Sequence, residues 1–249
     1  MSDERLGLLR DIERAAVAGW PALETEFVDG WLWRHASGGS TRANSVAALA
    51  YSGADIEASV ARIEALYRSR RAPVRFTISE VSEPAGLDGV LARRGYAHGD
   101  DHVTMAKPVA ARRATATKLA IETSDRPSAG WLAAYLSGLS ASRRDVAPRI
   151  LAGLPRAAIY ASAMRAGEVV ASGLSIADGA VASVQCMATL PAAQRQGAAT
   201  AILAAIERQA AAAGCRALYL QTGAGNDAAI ALYRRFGFAV ISRYHTRRQ

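Results

Sequence analysis

The chain has 249 residues, more than one typical domain of ~150 and enough for two modest ones. Hydrophobic residues make up 51 % and charged residues 21 %, which excludes a wholly disordered, collagen-like or coiled-coil chain; no run reaches the ~18 apolar residues of a membrane span. The net charge of +8 is uneven, with 13 Lys/Arg against 15 Asp/Glu in residues 1–110 and 17 against 7 in residues 111–249.

In chain order, an amphipathic helix opens the first half, with Leu6, Leu9, Ile12 and Ala16 on one face and Gly19 and Pro21 ending it. Strands are predicted at Gly30-Trp-Leu-Trp-Arg-His-Ala36 and Ser45-Val-Ala-Ala-Leu-Ala-Tyr51, joined by the turn-rich Ser37-Gly-Gly-Ser40. A helix from about Asp55, a strand at Val74-Arg-Phe-Thr-Ile78, a short helix over 87–94 and a strand over 102–106 follow. Residues 109–117, rich in small residues and preceded by Pro108, read as a linker that coincides with the change in charge. The second half is predicted as helices over 128–139 and 148–154, then strands near 157–165, 168–177 and 180–190 with hairpin signals at Gly167-Glu168 and Asp178-Gly179. A helix over 197–213, a strand over 217–221, a helix over 226–236 and a strand over 238–244 close it. Both halves end as strand, helix, strand, helix, Gly-aromatic, strand. Leu91-Ala-Arg-Arg-Gly-Tyr96 lies against Tyr233-Arg-Arg-Phe-Gly-Phe238, which points to a duplicated fold.

Cys186 and Cys215 form neither a disulfide framework nor a metal-ligand spacing. Met1-Ser-Asp-Glu-Arg5 lacks the basic-then-apolar order of a secretory signal, so a reduced, cytoplasmic protein with no metal and no membrane segment is expected. The basic second half fits an anionic partner, whether nucleic acid, a phosphorylated cofactor or an acidic surface, and fits a solvated basic face equally well. Nucleic acid is disfavoured, because aromatics are only 6 % and no recognition motif accompanies the basic tail Arg243-Tyr-His-Thr-Arg-Arg248.

The most informative stretch is Met187-Ala-Thr-Leu-Pro-Ala-Ala-Gln-Arg-Gln-Gly-Ala-Ala-Thr200, between an apolar strand and an amphipathic helix. Gly197, Ala198 and Ala199 project almost nothing from the backbone, so the first-turn N–H groups, which have no intrahelical acceptor, can meet an anion. Gln194, Arg195 and Gln196 add donors and charge at the rim. Close packing of helix on sheet would use the same small residues. Further on, Asn226 is a natural N-cap, and Tyr233, seven residues later, shares its helix face.

Gln194-x-x-Gly197-x-Ala199 resembles the Arg/Gln-x-x-Gly-x-Gly/Ala loop of the GNAT superfamily of acyl-CoA-dependent N-acyltransferases. Asn226-x-x-Ala-x-x-Leu-Tyr233-x-x-x-Gly-Phe238 is similar to that superfamily's closing motif, and the resemblance covers roughly residues 118–246. It implies an α/β fold on a mixed sheet, as two GNAT-like units in tandem. Residues 1–108 would be a degenerate lobe, 109–117 the linker and 118–249 the cofactor-binding lobe. It further implies acetyl-CoA as co-substrate and an amine acceptor, with Met187, Ala188 and Thr189 holding the pantetheine arm and the Met187 N–H polarising the thioester carbonyl. Residues Gln194 to Ala199 would take the pyrophosphate, Asn226 would contact the pantetheine, and Tyr233 would be general acid for the departing thiolate.

The sequence departs from relatives that carry a carboxylate base at the end of the strand before Asn226, because Gln221 stands there. His245 and Asp178 are candidates by residue type only. In the first half no Gly-x-Gly/Ala loop precedes the helix at Asp55, and Leu91 stands where Tyr233 does, so this half is not expected to bind cofactor. Its polar patch of Trp31, Trp33, Arg34, His35, Arg42 and Asn44 either lines an acceptor pocket, with Arg34, Arg42 and Asn44 as substrate contacts, or is a hairpin whose Asn bonds local backbone and whose Trp residues fill core. The whole chain resembles bacterial two-lobed GNAT proteins with a Gly30-Trp-Leu and Thr41-Arg-Ala-Asn-Ser45 segment of this kind. Three readings follow: an acetyltransferase acting on a small molecule or amino acid, a catalytically silent acyl-CoA sensor, and a protein N-terminal acetyltransferase.

Overall fold

The computed structural model describes residues 2–110, 119–155 and 157–249. Most of the expected linker, residues 111–117, lies outside them. The first half runs α1 (Ser2–Ala18), β1 (Glu24–Val28), β2 (Trp31–His35), a 3-10 turn (Thr41–Asn44), β3 (Val46–Ala47), α2 (Ile56–Ser69), β4 (Arg75–Ile78), α3 (Leu87–Arg93) and β5 (Ala97–Pro108). The second runs β6 (Ala120–Ser124), α4 (Ala129–Ser137), α5 (Ala141–Ala152), β7 (Ala158–Arg165), β8 (Glu168–Asp178), β9 (Val181–Ser183), β10 (Gln185–Thr189), a 3-10 turn (Pro191–Ala193), α6 (Ala198–Ala212), β11 (Ala217–Gly223), α7 (Asp227–Arg235) and β12 (Ala239–Arg248).

All described strands join one mixed sheet in the order β1-β2-β3-β4-β12-β5-β11-β9-β8-β7-β6, with β10 attached to β8. Each half contains a parallel strand–helix–strand unit, β3-α2-β4 and β9-α6-β11. The last strand of each half is exchanged. β5 pairs through His102–Pro108 with β11 of the second half, and β12 pairs with β4 of the first. The two exchanged strands lie antiparallel to each other at the centre, so neither half closes its sheet alone.

The packing follows the same exchange. Ile12, Ala15 and Ala16 of α1 bury against Ala106, Val181, Ala217 and Tyr219, so the first helix of the chain covers strands β5, β9 and β11. On the opposite face Leu218 and Leu220 join Ile202, Leu203 and Ile206 of α6. Gly173 on β8 lets α6 approach; a Cβ there would lie 2.4 Å from Ile202 Cγ2 and 2.9 Å from Met187 Sδ. The buried Lys107–Glu207 ion pair ties β5 to α6.

Several elements differ from the sequence reading. Two strands went unpredicted, β1 and β6. They are the two edges of the sheet, with burial confined to one or two residues each, so neither carries an alternating apolar pattern. The strand expected to Tyr51 is only Val46–Ala47; past it the Ala48 carbonyl accepts from the Glu83 N–H of a loop instead of a neighbouring strand. The helix expected to begin at Pro148 begins at Ala141, with Pro148 inside it. The strand expected over 180–190 breaks at Val184.

Candidate functional site

That break opens the sheet. β9 runs parallel to β11 through Ser183↔Tyr219, and the Val184 N–H still reaches the Tyr219 carbonyl at 2.8 Å. Beyond it the strands part. β10 pairs only with β8, and Leu220–Gly223 of β11 pair only with β5. Cys186 takes a left-handed φ of 52° and the register shifts between Gln185 and Ala188, a bulge that re-aims the strand. The result is a wedge whose facing edges, Met187–Thr189 on one side and Leu220–Gly223 on the other, do not pair with each other. A single extended chain with its own donors and acceptors could fill it.

The wedge leads to the start of α6. Arg195 and Gly197 are both left-handed, at φ 59° and 83°, and Gly197 is the N-cap with no side-chain hydrogen bond to the first turn. Arg165 fixes the turn through the Ala192 carbonyl and Gln196 Oε1, at 3.3 and 2.5 Å. Gln196 Nε2 also donates to Ala192 O, and Gln194 Nε2 reaches Thr189 O at 3.4 Å. In front of the turn lies a cleft of about 890 Å³ walled by Thr189, Gln194, Arg195, Gly197–Thr200, and Ala228, Leu232 and Arg235 of α7. Free amides at the positive end of a 15-residue helix, with Arg195 and Arg235 at the rim, favour a polyanion there. Arg235 was not singled out from sequence; its position in the last turn of α7 was the available signal.

Asn226 caps α7, accepting from the Ala229 N–H at 3.3 Å and donating to Thr222 Oγ1 at 3.4 Å. Tyr233 is buried against Phe238 with ring centroids 5.8 Å apart. Its hydroxyl makes no hydrogen bond among the described residues. Burial pushes that hydroxyl up to about 12, which keeps it a proton donor at neutral pH.

The other face of the wedge holds a second, narrow cavity of about 30 Å³. Glu13 of α1, Arg34, Arg42, Ser45, Gln221 and Tyr244 are among the residues lining it. Glu13 is only 5 % exposed, and its Oε1 accepts from Gln221 Nε2 at 3.0 Å and from Thr104 Oγ1 at 3.5 Å. Burial raises its pKa to about 7, with the two hydrogen bonds and the Arg42 charge opposing the rise. The Arg42 guanidinium lies 5.1 Å from the centre of the Trp20 ring and has no ion pair or hydrogen bond among the described residues. With Glu13 and Gln221, Arg42 lines the narrow cavity, where its charge opposes the burial-driven rise at Glu13. Arg34 donates to the Val17 and Trp20 carbonyls and so caps the C-terminal end of α1.

The remaining sequence candidates lie elsewhere. Asn44 accepts from the Ala36 N–H at 2.9 Å and donates to the Gly38 and Ser40 carbonyls, which places it in a backbone-tying role. Trp31 and Trp33 fill the core of the first half. His245 pairs with Asp88 at 2.8 Å and stacks on His98, away from the cavity. Asp178 is exposed at the β8–β9 turn. Sequence reading missed Glu13. Its signal was a carboxylate on the buried face of an amphipathic helix, four residues after Leu9 and three before Ala16.

Among the described residues no cluster of His, Cys, Asp and Glu could hold a metal, and no helix is long and apolar enough to cross a membrane. The family described as "Probable histone acetyltransferase Rv0428c C-terminal" matches residues 7–248. The uncharacterised N-acetyltransferase YobR of Bacillus subtilis is 29 % identical over 247 residues, covering 96 % of this chain and 98 % of that protein. A GCN5-related N-acetyltransferase from Kribbella flavida superposes with a TM-score of 0.67 at 16 % identity, over 99 % of this chain and 94 % of its own. A tandem GNAT protein from the clavulanic acid biosynthesis pathway gives 0.65 at 15 %, over 82 % and 74 %.

Proposed function

The chain belongs to the Rv0428c C-terminal acetyltransferase family and is an acyltransferase of GNAT type, and from that premise we propose that it moves an acetyl group from acetyl-CoA to a primary amine by direct attack in a ternary complex. One observation carries the cofactor assignment: the uncapped first turn of α6 opens into a large cleft beside two strands whose facing edges are unpaired. Acetyl-CoA supplies an activated thioester. Residues Gln194 to Ala199 bind its pyrophosphate through main-chain amides, with Arg195 and Arg235 adding charge. Met187, Ala188 and Thr189 offer strand-edge groups to the pantetheine arm, and Asn226 borders the arm from α7. The Met187 N–H stabilises charge on the thioester oxygen. Tyr233 donates its proton to the leaving sulfur. In this reading residues 118–249 bind the cofactor, and residues 1–108 contribute to the acceptor side without binding it.

The acceptor is an amine whose nitrogen approaches through the cavity lined by Glu13 and Gln221. A small-molecule amine or amino acid fits. A protein acceptor is the second reading, supported by the family's description as a probable histone acetyltransferase. Thiol release from acetyl-CoA, measured with amines, amino acids and a lysine-containing peptide, separates these. The proposal expects release with at least one of them and roughly 100-fold slower release from Y233F. Acetyl-CoA binding without turnover of any acceptor would leave only an acyl-CoA sensor.

A further inference from the structure

An alkylamine reaches an enzyme as its ammonium ion, with a pKa near ~10, and must lose a proton before its nitrogen can attack. Gln221, on the open edge of β11, cannot accept that proton. The structure puts a carboxylate in contact with the Gln221 side chain from a different element. Glu13 of α1 meets Gln221 Nε2 at 3.0 Å, lines the same narrow cavity, and lies on the face of the wedge opposite the cleft assigned to the cofactor.

The geometry points to Glu13 as the general base, a catalytic residue donated by the first helix of the chain, serving acceptors that arrive as alkylammonium ions. The inference rests on the acetyl-CoA reading above. Three features suit the carboxylate to the task. α1 is locked over β9 and β11 by its apolar face, by Arg34 at its C-terminal end, and by Gln185 Nε2 donating to the Gly19 carbonyl at 3.2 Å. Glu13 Oε1 takes the hydrogen bonds from Gln221 and Thr104, and no residue among those described bonds Oε2, which can face the amine. The titratable and charged groups around it come from every neighbouring element: Arg42 from the 3-10 turn, Arg34 from β2, Tyr219 from β11 and Tyr244 from β12. Burial keeps the carboxylate basic near pH 7, while the hydrogen bonds from Gln221 and Thr104 and, least, the Arg42 charge keep it ionisable.

The protons and bonds balance. Glu13 takes one proton from the ammonium and later releases it to solvent. The freed nitrogen lone pair forms the C–N bond as the C–S bond breaks. The Tyr233 proton passes to the sulfur, and the second nitrogen proton restores Tyr233. The sum is ammonium plus thioester giving amide, thiol and one proton.

The test compares benzylamine and other alkylamines, which are protonated at pH 7, with aniline, which is already neutral. Wild-type kcat/KM for an alkylamine is expected to rise through about pH 7 and then level off. In E13Q it is expected to drop by roughly 100-fold or more at pH 7 and to climb tenfold per pH unit toward the ammonium's own pKa. Aniline acetylation is expected to change less than about threefold, which a merely structural role for Glu13 would not produce. Returning the carboxylate in E13Q/Q221E is expected to recover at least about tenfold. Equal losses for aniline and alkylamine, an unchanged pH profile in E13Q, or acetyl-CoA binding without acetylation of any alkylamine would overturn the assignment. Failure of the wild type to bind acetyl-CoA would instead remove the reading beneath it.

Discussion

Helices α2 and α6 occupy the same place in the two halves, each following a strand and returning to a parallel neighbour, yet their first turns are built oppositely. At α2, Asp55 accepts from the Glu57 and Ala58 N–H groups, so a carboxylate of the chain itself sits where an external anion would bind. At α6, Gly197 offers no cap and Ala198 and Ala199 leave the amides bare. The later helices diverge in the same way. Leu91 of α3 is fully buried, whereas Tyr233 of α7 brings a hydroxyl with no partner among the described residues. The two frames are similar, and in the proposed reading the differences at Asp55, at Gly197 to Ala199 and between Leu91 and Tyr233 decide which of them takes a cofactor. In that reading the first half keeps a different share, because α1 and the exchanged β5 bring Glu13 and Thr104 to Gln221 on the open edge of β11.

The division of labour can be broken at several points. The largest effect concerns Glu13. Its folded pKa of about 7 lies above its ordinary 4.5, so its protonated form stabilises the fold below pH 4.5, and that contribution is lost as pH rises through 7. The loss amounts to about 3 kcal/mol, and E13Q is expected to flatten this part of the stability curve and to be the more stable protein at pH 8. Denaturant melts at pH 5 and pH 8 check it; parallel curves for the two proteins would refute it. Next, Y233F is expected to reduce kcat by roughly 100-fold while acetyl-CoA affinity stays within about twofold, read by steady-state kinetics beside direct binding. A199E, which imitates at α6 the acid that α2 already carries, is expected to weaken acetyl-CoA binding by about tenfold or more, near 1.4 kcal/mol. The smallest effect belongs to D55A. It removes the cap of α2 at a cost of about 1 kcal/mol in stability and creates no second binding site, because β3 and β4 stay paired beside that turn and Leu91 stands where the other half has Tyr233.

Much of the proposed cofactor side is legible in the sequence. Gln194 to Ala199, Asn226 and Tyr233 are local features, readable because helix starts and helix faces are written in consecutive residues. The proposed acceptor side is hidden, because Glu13, Thr104, Arg42 and Gln221 are far apart in the chain and meet only in the folded sheet. Glu13 is one acid in a helix that otherwise reads as ordinary and amphipathic. The edge strands β1 and β6 left no trace because solvent, not a core, faces most of their side chains. The break at Val184 was invisible for the opposite reason. Apolar residues continue through it, and only the parting of β10 from β11 turns one expected strand into two.

The most direct test of the contrast between the two halves is a calorimetric titration of the whole chain with acetyl-CoA. A single site per chain, weakened by A199E and untouched by D55A, is the expected result. Two sites per chain, or no binding at all, would contradict it.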